Sequence, residues 1–238
     1  MSQPTVILVH GAWHGAWCWR DLVDVFDRTG VKWRAPDLPS SHSPDDPTAD
    51  LARDRDAVVA AAATLDGPKI LVGHSYGGLV TAEAAPAIEN LTRLVYVAAL
   101  VPLPGQSATD ASRESPRRTL LDESMRVVDG HIELDPDGAG RALYNDCLAD
   151  VRSWAVSHLS AQTIASFRSH RGTSAVDAHS RYVLCRNDEA IEPALQEAMS
   201  RRSDEVVAID SGHSPFLSHP TQLADLILRD PGKGGGHN

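Results

Sequence analysis

The chain has 238 residues, 42% of them hydrophobic and 23% charged, with a formal net charge of −10. That length suits one α/β domain with a large core, and no apolar run approaches the roughly 20 residues that span a bilayer. Acidity of this size repels a phosphate backbone, since nucleic-acid affinity rests on clustered Lys and Arg, so neither a membrane nor a nucleic acid is the expected partner.

In chain order, Met1-Ser2-Gln3-Pro4 lacks a basic n-region, and the apolar stretch 6–9 is too short for the core of a signal peptide. Cys18, Cys147 and Cys185 lie far apart, with no C-x-x-C pair and no histidine cluster at metal-ligand spacing. They read as small hydrophobes in a reducing compartment, so a cytoplasmic protein without metal or other cofactor is expected.

Short apolar runs at 5–9, 31–35, 69–72, 94–99, 181–185 and 206–209 are mostly unalternated and rich in β-branched residues. Such runs suit strands covered on both faces, as in a parallel sheet. Between them Trp19, Leu22, Val23 and Phe26 form one helical stripe, and Leu51, Val58, Ala62 and Leu65 form another, with Pro47 as its candidate first residue. Strand and helix alternate, which predicts a doubly wound, mostly parallel α/β sheet of about six strands. One domain, 1–238, is expected.

After Pro102-Leu103-Pro104-Gly105 about 75 residues pass before the next clear strand, far more than a connection needs. Residues 103–178 are therefore expected to form an inserted cap. Within it Asp129-Gly130 between apolar pairs signals a hairpin, and 141–159 is helical in pattern, so a small hairpin plus helices is expected. Arg113, Arg117 and Arg118 read as a solvated basic face. Residues 231–238 are expected to be a disordered tail.

Gly73-His74-Ser75-Tyr76-Gly77 matches G-x-S-x-G, a match that chance alone produces in about one chain in ten of this length. Here it follows a strand and precedes the small-residue helix 78–85, the context that a nucleophile elbow requires. Ser75 is then the nucleophile, because glycines two before and two after let helix and strand approach closely around a strained turn. His74 beside it reads as structural. A serine hydroxyl needs a base, and chain order on such a fold runs Ser, acid, His. His213, directly after the strand 206–209, is the candidate base, with His219 a weaker rival. Asp188, three residues past the strand 181–185, is the candidate acid, and Glu189 beside it is the alternative. The amides of Ala12 and Tyr76 are the candidate oxyanion donors.

Leu8-Val9-His10-Gly11-Ala12-Trp13-His14-Gly15-Ala16-Trp17-Cys18-Trp19, the elbow, Asn187-Asp188-Glu189-Ala190-Ile191 and Gly212-His213 together resemble the hydroxynitrile lyase and plant methylesterase branch of the α/β-hydrolases. The likeness spans nearly the whole chain and is weakest in the cap, where only Tyr144-Asn145-Asp146-Cys147 and the helix with Trp154 look familiar. It implies the α/β-hydrolase fold with a small cap, no cofactor, and hydrolysis of a small, largely apolar small-molecule ester. Lyases of the branch carry threonine and lysine where this chain has Gly11 and Ser214, which is esterase-like at the first position and not lyase-like at the second. Gly11, Trp13, His14, Trp154, His158 and Ser214 are the candidate substrate-binding residues. A lyase-type reaction on the same scaffold, and a ligand sensor with slow turnover, stay open beside the esterase, and a homodimer is compatible with the sequence.

Overall fold

A computed structural model describes residues 3–43, 45–172 and 177–230, so the tail at 231–238 lies outside the described residues. The strands are β1 (Thr5–Val9), β2 (Trp33–Arg34), β3 (Lys69–His74), β4 (Leu91–Val97), β5 (Met125–Val128), β6 (His131–Leu134), β7 (Gln162–Thr163), β8 (His179–Cys185) and β9 (Glu205–Ile209). Six of them form one sheet in the order β2-β1-β3-β4-β8-β9, with every neighbouring pair parallel. β1 and β3 are buried along their whole length, as unalternated apolar runs must be when helices cover both faces. The helix Arg20–Thr29 packs against Pro220–Leu228, and Leu51–Ala63 against Gly77–Ala84. Among the described residues no helix is long and apolar enough to cross a membrane.

Several boundaries differ from the sequence expectation for local reasons. The run at 31–35 yields only the two-residue edge strand β2, since Pro36 just beyond it has no N–H to give a ladder. The helix after Pro47 begins at Leu51, because the Asp50 carboxylate accepts the N–H groups of Ala52 (3.1 Å) and Arg53 (3.2 Å) and so sets the cap three residues later. β4 stops at Val97, where Ala98 turns into the left-handed region at φ 43°.

Between β4 and β8 the chain leaves the main sheet for short helices and the antiparallel trio β5-β6-β7. Asp129 and Gly130 both have positive φ, 45° and 83°, the two-residue turn that a right-twisted hairpin favours. The helical pattern over 141–159 is divided between two helices, Pro136–Leu143 and Ala149–Ser157. Arg152 reaches back to the carbonyls of Tyr144 (3.1 Å), Asn145 (3.1 Å) and Cys147 (3.4 Å), groups that a break in the helix would otherwise orphan. The break frees Asn145 and Asp146 for other partners. Asn145 donates to the Asn187 carbonyl at 2.8 Å and Asp146 accepts the Gly212 N–H at 2.7 Å, which ties the inserted segment to the loops beyond β8 and β9.

Candidate active site

The turn after β3 is built by close approach. Ser75 sits at φ 53°, and its backbone carbonyl accepts the N–H groups of Gly78 and Leu100, each at 3.0 Å, so a conformation that side-chain residues avoid is held from two sides. A Cβ on Gly77 would lie 2.5 Å from the carbonyl oxygens of both Val9 and His10, and one on Gly73 would lie 2.6 Å from the Gly77 carbonyl. These neighbours are backbone and cannot swing aside. Gly77→Ala is therefore expected to cost about 3 kcal/mol, the upper end for overpacking, read as a lower urea midpoint, and an unchanged midpoint would refute the steric account.

His213 lies wholly buried in the loop after β9. Its Nδ1–H donates to Asp188 Oδ2 at 2.7 Å, which assigns the tautomer and leaves Nε2 with its lone pair and no hydrogen-bond partner. Asp188 is buried and fully engaged: Oδ1 accepts the N–H groups of Ala190 (2.7 Å) and Ile191 (2.9 Å), and Oδ2 also accepts from Gln196 at 2.8 Å. Capping the following turn and facing the histidine are thus two jobs of one carboxylate. Those caps delay the helix expected over 190–199 to Pro193–Ser200. Glu189 is exposed, and His219 opens Pro220–Leu228, 3.6 Å from Asp146.

His74 couples this pair to the elbow. Its ring packs on that of His213 with centroids 4.5 Å apart, and its Nε2–H donates to the His213 carbonyl at 2.9 Å. Burial, above all, pushes its pKa well below the ordinary histidine value, so the ring is neutral. Beyond it lies His14, which donates from Nδ1 to the Ala12 carbonyl (2.7 Å) and accepts the Tyr144 hydroxyl at Nε2 (2.8 Å). Burial lowers its pKa to about 3.

A narrow cavity of about 40 Å³ lies beside Ser75, lined by Ala12, Trp13, Tyr76, Leu100, Phe167 and Ile191 among others. Ala12 and Tyr76 both border it, and Tyr76 stands at the N-terminus of Gly77–Ala84, where helical N–H groups lack internal partners. Trp13 adopts φ 63°, strained for a bulky residue, and the inserted segment holds it there. Its N–H donates to Gln162 Oε1 (3.2 Å), its indole N–H to the Ile132 carbonyl (2.8 Å), and its carbonyl accepts the Ser160 N–H (2.9 Å). Tyr76 donates its hydroxyl to Asp54 at 2.7 Å, and Asp54 also accepts from the Ser40 N–H and hydroxyl.

Of the residues expected to bind substrate, Trp13 alone borders this cavity. A Cβ on Gly11 would lie 2.9 Å from His74 Nδ1 and 3.0 Å from the Ser75 Cβ, so its place is under the elbow. Ser214 is wholly buried with an unpartnered hydroxyl. Trp154 and His158 pack with Trp17 on the outside of the site, and the Arg20 guanidinium covers the Trp154 ring at 3.6 Å. The sequence reading missed Asp54, Gln162, Tyr144 and Phe167. Asp54 had a signal: it falls on the apolar stripe of Leu51 and Val58, where a carboxylate is buried only with partners. Gln162 meets Trp13 from 149 positions away and carried none.

One group of metal-ligand type exists among the described residues, His10 with Asp37 and His42. Its members do not fit an ion. His10 spends Nδ1–H on the Gly11 carbonyl (2.8 Å) and the Nε2 lone pair on the Leu38 N–H (3.0 Å), while Asp37 accepts the Ala16 N–H (2.7 Å). The cluster anchors the loop after β1.

The chain belongs to the alpha/beta hydrolase family, whose profile matches residues 6–226. An alpha/beta hydrolase of Aspergillus novofumigatus is 29% identical over 245 residues, covering 96% of this chain and 95% of that protein. Methylesterase 18 of Arabidopsis thaliana is 27% identical (96% and 97% covered), and the carbendazim hydrolyzing esterase of a Nocardioides species 28% (93% and 97%). Among solved structures, a pyrethroid hydrolase from Sphingobium faniae shares the fold at TM-score 0.82 and 22% identity, covering 95% of this chain and 96% of that one. Within the family the chain falls in the methylesterase-like branch.

Proposed function

We propose that this carboxylic-ester hydrolase works through an acyl-enzyme on Ser75, with His213 as general base and Asp188 as the acid that orients it. The observation that carries the reading is the buried 2.7 Å hydrogen bond from His213 to Asp188, beside a serine held at φ 53°. The neutral imidazole takes the Ser75 proton as Oγ attacks the ester carbonyl, and the amides of Ala12 and Tyr76 receive the oxyanion. Collapse expels the alcohol, protonated by the imidazolium, and a water activated by the same base then releases the acid. Asp188 stabilises the transient imidazolium without taking its proton.

The narrow, partly apolar cavity supports a small, largely apolar group at the reacting carbonyl. No Lys or Arg lines the cavity beside Ser75 among the described residues, while Asp122 and Glu192 do. Such a wall is hostile to a departing cyanide, because an anion in a buried site must be paired. This favours hydrolysis over cyanohydrin cleavage. Three free, buried cysteines are consistent with a cytoplasmic setting.

A fluorophosphonate probe should label Ser75, and short methyl and aryl esters should turn over without cyanide release from mandelonitrile-type cyanohydrins. Asp188→Asn should lower kcat on the order of 10⁴-fold, while Glu189→Gln stays near normal. Appreciable cyanide release abolished by Ser75→Ala would install the lyase reading, and labelling without turnover of any ester would install the sensor.

A further inference from the structure

The cavity beside Ser75 shares Ser112, Ser115, Asp122, Met125 and Phe167 as lining with a second, adjacent and far larger one of about 610 Å³. This outer chamber has a two-part lining. Met125, Val127, Ile132, Ile164 and Phe167 give it an apolar wall, and four arginines, Arg113, Arg117, Arg118 and Arg168, stand around it. In a protein of net charge −10, that is a local reversal of sign at the approach to the candidate active site.

The arginines are not all consumed by neighbours. Arg117 is closed on Glu192, and Arg113 lies 3.5 Å from Asp110. Arg118 donates only to the backbone carbonyl of Asp122 at 3.2 Å, and neither Arg118 nor Arg168 pairs with a carboxylate among the described residues. Asp122 is the single carboxylate in the lining, and its Oδ2 already accepts the Thr119 N–H (2.8 Å) and hydroxyl (3.0 Å). Val127 is left largely exposed on the apolar side, unusual for a large hydrophobe unless something covers it.

We infer that the outer chamber seats the far end of the substrate, and that this end is an apolar chain terminating in a carboxylate or other compact oxyanion. The inference rests on the hydrolytic reading of Ser75 and adds the substrate's distal chemistry to it. An ester reaching Ser75 has its small reacting end in the narrow cavity, its chain against Met125, Phe167 and Ile164, and its anion at Arg118 and Arg168. A guanidinium offers a carboxylate two parallel hydrogen bonds, and a chamber in which arginines outnumber carboxylates draws in ligands of negative charge.

The test uses matched pairs: monomethyl esters of linear dicarboxylic acids of graded length, each against the methyl ester of the monoacid of the same length. Turnover is measured on the native chain, and binding is measured calorimetrically on Ser75→Ala. With two guanidiniums free of carboxylate partners at an exposed site, the anionic ester should bind and react about tenfold better than its neutral partner. The preference should shrink between about 20 mM and about 500 mM salt, where screening shortens from tens of ångströms to a few. It should also collapse in Arg118→Gln/Arg168→Gln. Equal or weaker binding of the anionic ester at every length overturns the inference, whatever the turnover. Tighter binding of the anionic ester with hydrolysis of neither ester would support the chamber and overturn the hydrolytic reading instead.

Discussion

Ser75→Ala and His213→Ala are each expected to lower kcat/KM for a short ester on the order of 10⁶-fold, and the double variant to lose little more. The reason is that nucleophile and base act as one unit: without Ser75 there is no oxygen to acylate, and without His213 the hydroxyl keeps its proton. What survives is binding and the oxyanion donors, which act on a water attack without either side chain. Among the buried histidines around the elbow, the geometry suits His213 to the part. His10 and His14 each spend both ring nitrogens and His74 spends Nε2 on the His213 carbonyl, none of them on a carboxylate, whereas His213 donates Nδ1–H to Asp188 at 2.7 Å and keeps Nε2 unpartnered. The comparison is steady-state kinetics on folded variants, checked by circular dichroism. Turnover of His213→Ala within tenfold of the native chain, or losses in the two single variants that multiply in the double, would remove this pair from the chemistry.

How much of this was legible in the sequence depends on the range of the interaction that makes each part. The elbow is local: β3, the turn and Gly77–Ala84 are consecutive, and the glycines declare the close contacts with the backbone of Val9 and His10 and the side chain of Thr81 that they permit. The parallel sheet was legible because strands buried on both faces read as apolar runs, and the Asp129-Gly130 hairpin because two positive φ values need those residue types. Asp188 and His213 could be placed by chain order, but the choice between Asp188 and Glu189 turns on which carboxylate the loop buries. Only the fold decides that. Trp154 and His158 sit at helical spacing in a segment whose pattern does not show the break between Leu143 and Ala149, and they are spent on Trp17 and Arg20. The four arginines of the outer chamber are split between residues 113–118 and residue 168, so no window of sequence shows them converging.

Folding stability is expected to fall steeply in acid, and the buried histidines set the window. Burial holds His10 at about 4 and His14 at about 3 in the folded chain, against 6.5 for the free side chain, and pushes His74 in the same direction. A histidine whose folded value is depressed binds more protons when unfolded, so its stabilising contribution is complete above about pH 6.5 and is lost progressively as pH falls toward the folded value. From about pH 7 to about pH 5 the loss is about 2 kcal/mol for each of His10 and His14, about 4 kcal/mol together, with His74 adding to it. Asp54 works the other way: burial raises its pKa, so its ionisation penalises the fold less as pH falls. One carboxylate offsets part of what three histidines lose, and against a total of 5–15 kcal/mol for an ordinary domain the remainder decides whether the chain stays folded. Urea titrations at the two pH values read it directly, and equal midpoints would mean that these rings are not held neutral inside the fold.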